Sequence, residues 1–282
     1  MKDGKIRCFF KGLLFLSAFY QASVGIAYAQ VSECALLKPA GSSVKVAWKF
    51  HLLDSSYISK HPDSLKAVVA LAKYKTVVDT LMKPLGDVPR ELKKMEPECP
   101  LSDMLADVIK GSVEKKTGRK TDMAITGFAQ IRSALPAGKL SRYDIMTAFP
   151  FVNNLVVIKI KGKHILESAR IAAAEDKVEI YSGCRIFIRG RRVKKMLVNG
   201  KRLRRNRFYE VATVDFITSG FAGEMFHPLT RFSYIENSGI TIQAALEEYV
   251  KRLTAKGMSV SPAADGRVVV KDLPANKESD GI

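Results

Sequence analysis

The sequence predicts an α+β fold, and three observations favour that class. Apolar residues recur at three- and four-residue spacing in several stretches, which indicates amphipathic helices, while shorter apolar runs have the length of strands. The two kinds of segment follow one another in irregular order, unlike the strict alternation of a doubly wound sheet. Asn199-Gly200 stands between two apolar runs, and this pair is the strongest short-range sign of a hairpin.

The first half of the chain carries two helical patterns and one strand pattern, each with its own stop signal. Proline cannot continue a helix, so Pro84 ends the first pattern, and Gly118 suits the end of the second, whose first turn holds Pro100. The predicted elements are a helix over Ser64–Met82, a helix from Pro100 or Leu101 to Thr117, a buried strand over Asp122–Thr126, a turn over 133–141 and a short helix or turn over 143–149.

The second half contains the longest strand patterns. The apolar run that starts at Leu155 has strand length, "VEIYSGCRIFIRG" alternates in character, and "VKKMLVNGKRLRRNRFYEVATVDFI" reads as two strands joined by a tight turn. The predicted elements are a strand over 155–161, a helix over 162–173, one strand over 178–190, a hairpin over 193–216 that turns at Asn199-Gly200, a helix over 241–257 and a last strand over 266–273.

The first 29 residues are typical of a secretory signal peptide. Four basic residues precede an apolar stretch from Gly12 to Ile26, and Ala27-Tyr28-Ala29 offers a cleavage site before Gln30. The stretch is shorter than the about 20 apolar residues of a membrane span, and no later segment approaches that length. We therefore expect an exported protein, periplasmic or extracellular, without a transmembrane segment. The lipoprotein alternative requires a small residue before Cys34, where Glu33 stands.

The net charge narrows the class of partner, and the cysteine content limits the number of disulfides. The formal net charge is +18, of which the leader carries +3, so +15 remains after cleavage. Such a balance favours anionic partners: phosphorylated substrates, acidic envelope polymers or membrane surfaces. Because the protein is expected to be exported, we predict no nucleic-acid partner. Cys34, Cys99 and Cys184 allow one disulfide in an oxidising compartment, with the pairing left open.

Catalytic and metal-binding patterns are missing from the sequence. The four histidines, His51, His61, His164 and His227, are isolated, and none belongs to a metal-binding motif. There is no nucleophile elbow, no phosphate-binding loop of the Walker type and no cysteine near a plausible base. We therefore predict no catalytic residue, no metal ligand and no cofactor in this chain, and a self-sufficient hydrolase is the weakest alternative.

A basic run extends from Arg185 to Arg207, with eleven Lys or Arg and no Asp or Glu. Its cations flank strand-forming residues, so they are expected to line one face and the turns of a hairpin. Two interpretations stay open. The run either forms a solvated edge that discourages unwanted strand pairing, or it binds an acidic partner or polyanion.

Several ordered motifs together resemble the C-terminal domain of the 5'-nucleotidase family. They are "CPLSDMLADVIKGSVEKKTGRKTDMAIT", "IRSALPAGKLSRYDIMTAFPFVNNL", "VNGKRLRRNRFYEVATVDFITSGFAGEMF" and the closing "ALEEYVKRL" to "DGRVVV". The resemblance implies layered sheets flanked by helices. It also implies four segments: a signal peptide over 1–29, an N-terminal extension over 30–73, a family domain over 74–272 and a polar tail over 273–282.

The resemblance further implies a ligand site. Phe151 and Phe216 match the two aromatic residues that sandwich the nucleobase in the family. Asn153 matches the asparagine that hydrogen-bonds the nucleoside, and Arg132 matches an arginine that approaches the polar groups of the substrate. Asn154, where the family does not require an amide, is interpreted as a turn residue.

Two turns depart from the family pattern. Gly127-Phe128-Ala129-Gln130 stands where the family has Asn-Gly-Gly-Gly, and Gly220-Phe221-Ala222-Gly223 replaces Gly-Gly-Asp-Gly. The carboxylate expected to hold sugar hydroxyls is therefore absent at Ala222. In full-length members a metallophosphatase domain precedes this region, and the stretch from Gln30 to Tyr74 is too short to hold it.

Two functional hypotheses follow. The first is an exported substrate-binding half of a split 5'-nucleotidase or UDP-sugar hydrolase, which binds a nucleotide-like ligand and depends on a separately encoded metallophosphatase for the divalent metals and the hydrolysis. The second is a non-catalytic envelope binding or scaffold protein, with a degenerate nucleotide site and a basic hairpin for an acidic partner.

Overall fold

The computed structural model describes residues 26–30, 49–53, 66 and 69–271. The chain divides into two compact units, Met1–Thr76 and Val77–Ile282. In the first unit, β1 (Ile26–Gln30) pairs antiparallel with β2 (Lys49–Leu53). Most of the predicted leader and extension, and the predicted tail, lie outside the described residues, so these three segments stay predictions.

The remaining elements confirm the predicted α+β class. In chain order they are α1 (Lys75–Leu81), β3 (Pro84–Val88), α2 (Pro100–Thr117), β4 (Met123–Gly127), β5 (Gly138–Ser141), α3 (Arg142–Ala148), β6 (Asn154–Lys161), α4 (Gly162–Ala174), β7 (Glu179–Ser182), β8 (Cys184–Arg189), β9 (Arg192–Val198), β10 (Lys201–Arg202), β11 (Phe208–Val214), α5 (Asp215–Thr218), β12 (Tyr234–Thr241), α6 (Ile242–Thr254) and β13 (Val268–Lys271). Two 3₁₀ helices, Phe128–Gln130 and Glu224–Thr230, complete the second unit.

A five-stranded mixed sheet forms the centre, in the order β12-β6-β11-β4-β7. Only β11 and β4 are parallel, and the other neighbours are antiparallel. The predicted strand that begins at Leu155 is confirmed as β6, whose residues Leu155 to Ile158 are buried between β12 and β11. Each fully buried aliphatic side chain of this kind stabilises the fold by about 1.5–3 kcal/mol relative to exposure.

Helix α2 covers this sheet, and both of its ends lie where the sequence predicts them. Pro100 opens it, and the preceding Cys99 caps it, since the Cys99 sulfur accepts a hydrogen bond from Ser102 N and the Ser102 hydroxyl accepts one from Cys99 N. Gly118 ends the helix with φ of 71°, a left-handed conformation that favours glycine. Leu101, Leu105 and Ile109 are fully buried.

The predicted single strand over 178–190 is wrong, because Gly183 divides it. Gly183 has φ of 68°, and a Cβ there would lie 2.7 Å from the backbone oxygen of Asp122. The residues before it form β7 in the large sheet, and those after it form β8 in a second, four-stranded sheet of order β10-β9-β8-β13. One alternating stretch of sequence therefore forms two strands that belong to different sheets.

The predicted hairpin is correct at its turn and wrong in its second arm. Asn199 and Gly200 both have positive φ, 48° and 75°, as a tight primed turn requires. Beyond the turn β10 has two residues, and the chain then leaves for β11 in the large sheet.

The predicted helix over Ser64–Met82 is interrupted. Residues 66 and 69–72 are helical, Lys73 and Tyr74 form a turn, and α1 follows. Pro84 ends helix formation, as predicted, but it also opens β3, which pairs with β5. Strands β3 and β12 were not predicted, and β5 lies within the predicted turn over 133–141, whereas α2, α4, α6 and β13 were predicted.

Two further features of the described chain bear on function. Cys99 and Cys184 are buried free thiols, with 1% and 6% of their surface exposed. None of the helices in the described part of the chain combines the length and the apolar character needed to cross a bilayer.

Candidate functional site

The four predicted site residues come from three segments that meet at one edge of the large sheet. Leu155 near the start of β6 pairs with Val214 at the end of the antiparallel β11. Residues just before β6 and just after β11 therefore leave the sheet at the same edge. Strand β4 runs parallel to β11, so the segment after Gly127 emerges there as well. This arrangement brings Phe151, Asn153, Phe216 and Arg132 to a common edge.

Phe151 and Arg132 form one contact of the site. The guanidinium carbon of Arg132 lies 5.0 Å from the centre of the Phe151 ring. The Arg132 backbone N–H donates to the Ala148 oxygen at 2.8 Å, which fixes this residue beside the segment that carries Phe151. Such a cation–π contact contributes about 0.5–1 kcal/mol at an exposed site. Because Arg132 covers one side of the ring and 37% of Phe151 is exposed, a ligand has access to its remaining surface.

Phe216 lies on the short helix α5 with 44% of its surface exposed. Its carbonyl accepts hydrogen bonds from the Ser219 hydroxyl at 2.7 Å and the Ser219 N–H at 3.3 Å. One oxygen of Asp215 accepts the Phe216 N–H at 2.8 Å, and the other accepts Asn154 Nδ2 at 2.9 Å. Asp215 therefore ties the segment of Phe216 to the start of β6.

Asn154 consequently has a different role from the one predicted. It is the first residue of β6 rather than a turn residue, and its amide joins the two segments that carry the phenylalanines. Sequence reasoning missed both Asn154 and Asp215. The available signal was the position of Asp215, directly before Phe216 and at the end of an apolar strand.

Gln130, at the end of the altered 127–130 turn, holds Asn153. The Asn153 Nδ2 donates to Gln130 Oε1 at 2.9 Å, and only 5% of Gln130 is exposed. Phe128 of the same turn is buried, and a Cβ on Gly127 would lie 2.8 Å from the Phe226 ring. Ala129 is exposed, whereas Phe128 and Gln130, which replace two of the family's glycines, pack inward. They leave the Oδ1 and the second N–H of Asn153 for a ligand.

The second altered loop keeps its glycines in the conformation that favours them. Gly220 and Gly223 have φ of 88° and 96°. Phe221 between them is 83% exposed, and Ala222 packs partly against the core. The loop offers no carboxylate at 222 and instead presents a third aromatic ring.

Among the described residues, one group of three carboxylates has the spacing of a cation site: Glu98, Asp103 and Asp265. Arg267 already occupies this group, with its Nε 3.0 Å from Asp265 Oδ1 and 3.5 Å from Asp103 Oδ2. The Glu98 carboxylate accepts the backbone N–H groups of Gly266 and Val268, both at 2.7 Å. A guanidinium and backbone donors thus satisfy these oxygens, and the group does not fit a divalent metal.

The chain is similar in sequence to proteins that hydrolyse nucleotides, as judged by their names. A family model described as the C-terminal domain of 5'-nucleotidase matches residues 77–228. The chain is 23% identical to the 5'-nucleotidase of Vibrio vulnificus (strain CMCP6) over 137 residues, which cover 47% of this chain and 24% of that protein. It is 27% identical to the trifunctional nucleotide phosphoesterase protein YfkN of Bacillus subtilis (strain 168) over 203 residues, which cover 65% of this chain and 13% of that protein.

Solved structures share the fold. The 5'-nucleotidase precursor from Thermus thermophilus aligns with a TM-score of 0.63 at 21% identity, over 81% of this chain and 47% of that one. The NAD nucleotidase of Haemophilus influenzae aligns with a TM-score of 0.54 at 16% identity, over 79% and 47%. The chain thus spans about half the length of these two structures, and a quarter or less of the two proteins from V. vulnificus and B. subtilis.

Proposed function

Because the chain belongs to the 5'-nucleotidase C-terminal domain family, we propose that it binds a nucleotide or nucleoside-like ligand whose base stacks on Phe151 and Phe216. The observation that carries this proposal is the convergence of two half-exposed phenylalanines, Arg132 and Asn153 at one edge of the large sheet. The Asp215–Asn154 hydrogen bond joins the two aromatic segments and supports their use as a pair.

Each residue has a role that its chemistry supports. A flat ring tolerates many bases, and one base–aromatic stack contributes about 1–3 kcal/mol in single-stranded nucleic-acid binders. Asn153 keeps an acceptor and one donor for the nucleoside, since Gln130 takes its other donor. Arg132 has a planar fork of donors that suits phosphate or sugar oxygens, and its guanidinium carbon lies 5.0 Å from the centre of the Phe151 ring.

We further propose that this domain is the substrate-binding half of a split hydrolase, exported by the leader over residues 1–29. Hydrolysis and the divalent metals would come from a separate metallophosphatase. The printed names of the relatives support the link to nucleotide hydrolysis.

Isothermal titration with AMP, adenosine and UDP-glucose tests the binding proposal. We expect Phe151→Ala and Phe216→Ala each to weaken the affinity about tenfold or more, which corresponds to about 1.4 kcal/mol. Phe208→Ala is the matched control, because Phe208 is 40% exposed and lies at the opposite end of β11. Equal losses in all three variants would show that stacking at this edge is not the binding mode.

A phosphatase assay tests whether hydrolysis requires a separate metallophosphatase. The purified chain with added Mg²⁺ or Mn²⁺ should not hydrolyse AMP, and activity should appear when the metallophosphatase is added. Hydrolysis by the chain alone that survives both Phe151→Ala and Arg132→Ala would contradict the proposal. A neighbouring reading frame that encodes a metallophosphatase without its own C-terminal domain would identify the protein to add.

One observation favours a second candidate function, a scaffold that binds an acidic envelope component. The outward face of the four-stranded sheet, which we call the basic face, carries Arg185, Arg189, Arg192, Lys195, Arg202 and Lys271 around Phe187 and Leu197. No acidic residue lies within β8, β9 or β10. No heat of nucleotide binding, an intact circular dichroism spectrum and salt-sensitive retention on a sulfated polysaccharide column would together favour this candidate.

A further inference from the structure

A groove runs along α4 on a part of the surface that the stacking residues do not line. One cavity of about 400 Å³ lies between α4 and the side chains of Arg205 and Arg231. A second cavity of about 610 Å³ continues to the loop of Gly220, Phe221 and Gly223. The two share Glu167, Ile171 and Arg231, so they are adjacent, and we call them together the α4 groove. Each cavity has the volume of an ordinary small-molecule site.

The first end of the groove is strongly positive. Residues 163, 167, 170 and 171 follow the helical spacing that places side chains on one face of α4. Lys163, Arg170 and Arg205 bring three cations to this end, and among the described residues none of them pairs with a carboxylate. The Lys163 N–H donates to the Arg205 oxygen at 2.8 Å, so backbone geometry fixes Arg205 beside the helix.

The carboxylate at this end is already neutralised. Glu167 accepts hydrogen bonds from Arg231 Nη1 at 3.2 and 3.3 Å. His164 is 13% exposed at its side chain, and its Nδ1 is buried with no hydrogen-bond partner, although it lies 3.5 Å from Glu167 Oε2. The first end of the groove therefore has more donors than its own acceptors satisfy, which is the condition for binding an anion, whereas Glu224 lines the second cavity.

The other end of the groove is aromatic. Phe221 borders it with 83% of its surface exposed, an unusual fraction for a large apolar side chain. Glycines with positive φ stand on both sides of Phe221 and hold the loop in a conformation that turns this residue outward. A positive end and an aromatic end, joined by a space of small-molecule size, match a ligand that has both a phosphate and a flat apolar group.

We propose that the α4 groove is a second ligand site, which binds a phosphate ester carrying an aromatic group. Lys163, Arg170, Arg205 and Arg231 contact the phosphate oxygens, and Phe221 contacts the aromatic group. The proposal is independent of base stacking between Phe151 and Phe216, since neither residue lines the groove.

Titration of the full chain with pyrophosphate at fixed low ionic strength tests the positive end. The double variant Arg170→Gln/Arg205→Gln should weaken pyrophosphate binding about tenfold or more. Lys94→Gln/Lys256→Gln removes the same charge from exposed positions outside both the groove and the basic face, and it is the matched control, with little change expected. All four side chains are exposed, so both variants should fold, which circular dichroism verifies.

Two results would overturn the proposal. The first is equal weakening in the two double variants, which would mean that net charge alone attracts the anion. The second is the absence of saturable pyrophosphate binding by the unmodified chain up to roughly 10 mM.

Two single variants separate this site from the stacking site. Phe221→Ala should weaken binding of phenyl phosphate and leave the affinity for pyrophosphate unchanged. Phe151→Ala should leave the affinity for pyrophosphate unchanged. If Phe151→Ala abolishes pyrophosphate binding, the anion binds at the edge of the large sheet and the groove proposal is wrong.

Discussion

At the scale of single residues, Gln130 shows how the altered turn holds Asn153 of the proposed ligand site. The family has glycines here, whereas this chain has a buried amide whose oxygen accepts Asn153 Nδ2 at 2.9 Å. Gln130 is buried, so we expect it to act by holding Asn153 rather than by contacting the ligand. It is therefore a positioning residue.

We expect Gln130→Leu to weaken adenosine binding about three- to tenfold, because an average hydrogen bond contributes about 0.5–1.5 kcal/mol and Asn153 would lose its fixed orientation. Isothermal titration measures the effect, and urea unfolding verifies that the variant is folded. An unchanged dissociation constant in a folded variant would show that Gln130 does not position Asn153.

Glu179 is a second residue with an unusual state. It is fully buried, and burial raises its pKa from 4.5 to about 7, while hydrogen bonds with Ser168 and Tyr181 lower it only in part. The Ser168 hydroxyl lies within hydrogen-bond distance of both Glu179 and the Met225 carbonyl. Since a hydroxyl has one proton, both contacts are satisfied when Glu179 is protonated and donates to Ser168. The geometry and the raised pKa therefore agree on a neutral Glu179.

The stability that this group supplies is fully present below pH 4.5 and is lost as pH rises through about 7. We expect the unfolding free energy of the unmodified chain to fall by roughly 2–3 kcal/mol more between pH 5 and pH 8 than that of Glu179→Gln. Urea unfolding at several pH values measures both slopes. Burial also raises the pKa of Asp103 to about 7, so the variant should keep part of the slope. Identical slopes would mean that Glu179 is ionised in the folded protein.

At the scale of elements, Gly183 decides where one sheet ends and the next begins. Its positive φ turns the chain between β7 and β8, and the Asp122 oxygen leaves no room for a side chain. Sequence alternation cannot show this, because alternation continues across the break. The sheet assignment depends on contacts with the segment of Asp122, which is distant in sequence.

Gly183→Ala should lower the unfolding free energy by more than Gly190→Ala does. Both glycines have positive φ, 68° and 49°, so both variants include the about 1 kcal/mol or more that such a conformation costs a residue with a Cβ. At Gly190 no atom lies within 4 Å of the added Cβ, whereas at Gly183 the backbone of Asp122 lies 2.7 Å away. Thermal or urea unfolding compares them, and equal losses would show that the contact with Asp122 relaxes freely.

At the scale of the whole molecule, Arg267 joins elements from both sheets. It precedes β13 of the small sheet, its Nη1 donates to the Tyr181 oxygen of β7 at 2.9 Å, and its Nη1 and Nη2 donate to the Asp107 carboxylate of α2 at 2.9 and 2.7 Å. The side chain is 12% exposed. One guanidinium thus connects the large sheet, its covering helix and the small sheet.

Arg267→Met should destabilise the chain by about 3 kcal/mol, because it removes the hydrogen bonds to the Tyr181 oxygen and the Asp107 carboxylate and the ion pair with Asp103. Arg252→Met is the control, since Arg252 is exposed and contacts the Tyr249 ring, and it should change stability by less than about 1 kcal/mol. Urea unfolding measures both. Similar effects would mean that the Arg267 network contributes no more than a surface contact.

Much of this architecture could be predicted from local signals. Pro100 and Gly118 at the ends of α2, the run of β6 and the Asn199-Gly200 turn are short-range features, and the sequence alone located them. The site residues were predicted by resemblance, and the register of β6 and β11 explains why they meet. Gln130, Asn154 and Asp215 were missed, because their roles depend on hydrogen bonds between segments far apart in sequence. Strand β12 was missed because most of its side chains are exposed or half-exposed and give no apolar run.

The buried thiols of Cys99 and Cys184 can be used to measure local unfolding. Cys99 starts the helix that covers the large sheet, whereas Cys184 lies in the small sheet, where burial raises its pKa far above the usual range. A thiolate is the reactive form, so an alkylating reagent should modify either cysteine only after local unfolding. The ratio of the two modification rates therefore measures whether the sheets separate independently or the unit unfolds as a whole.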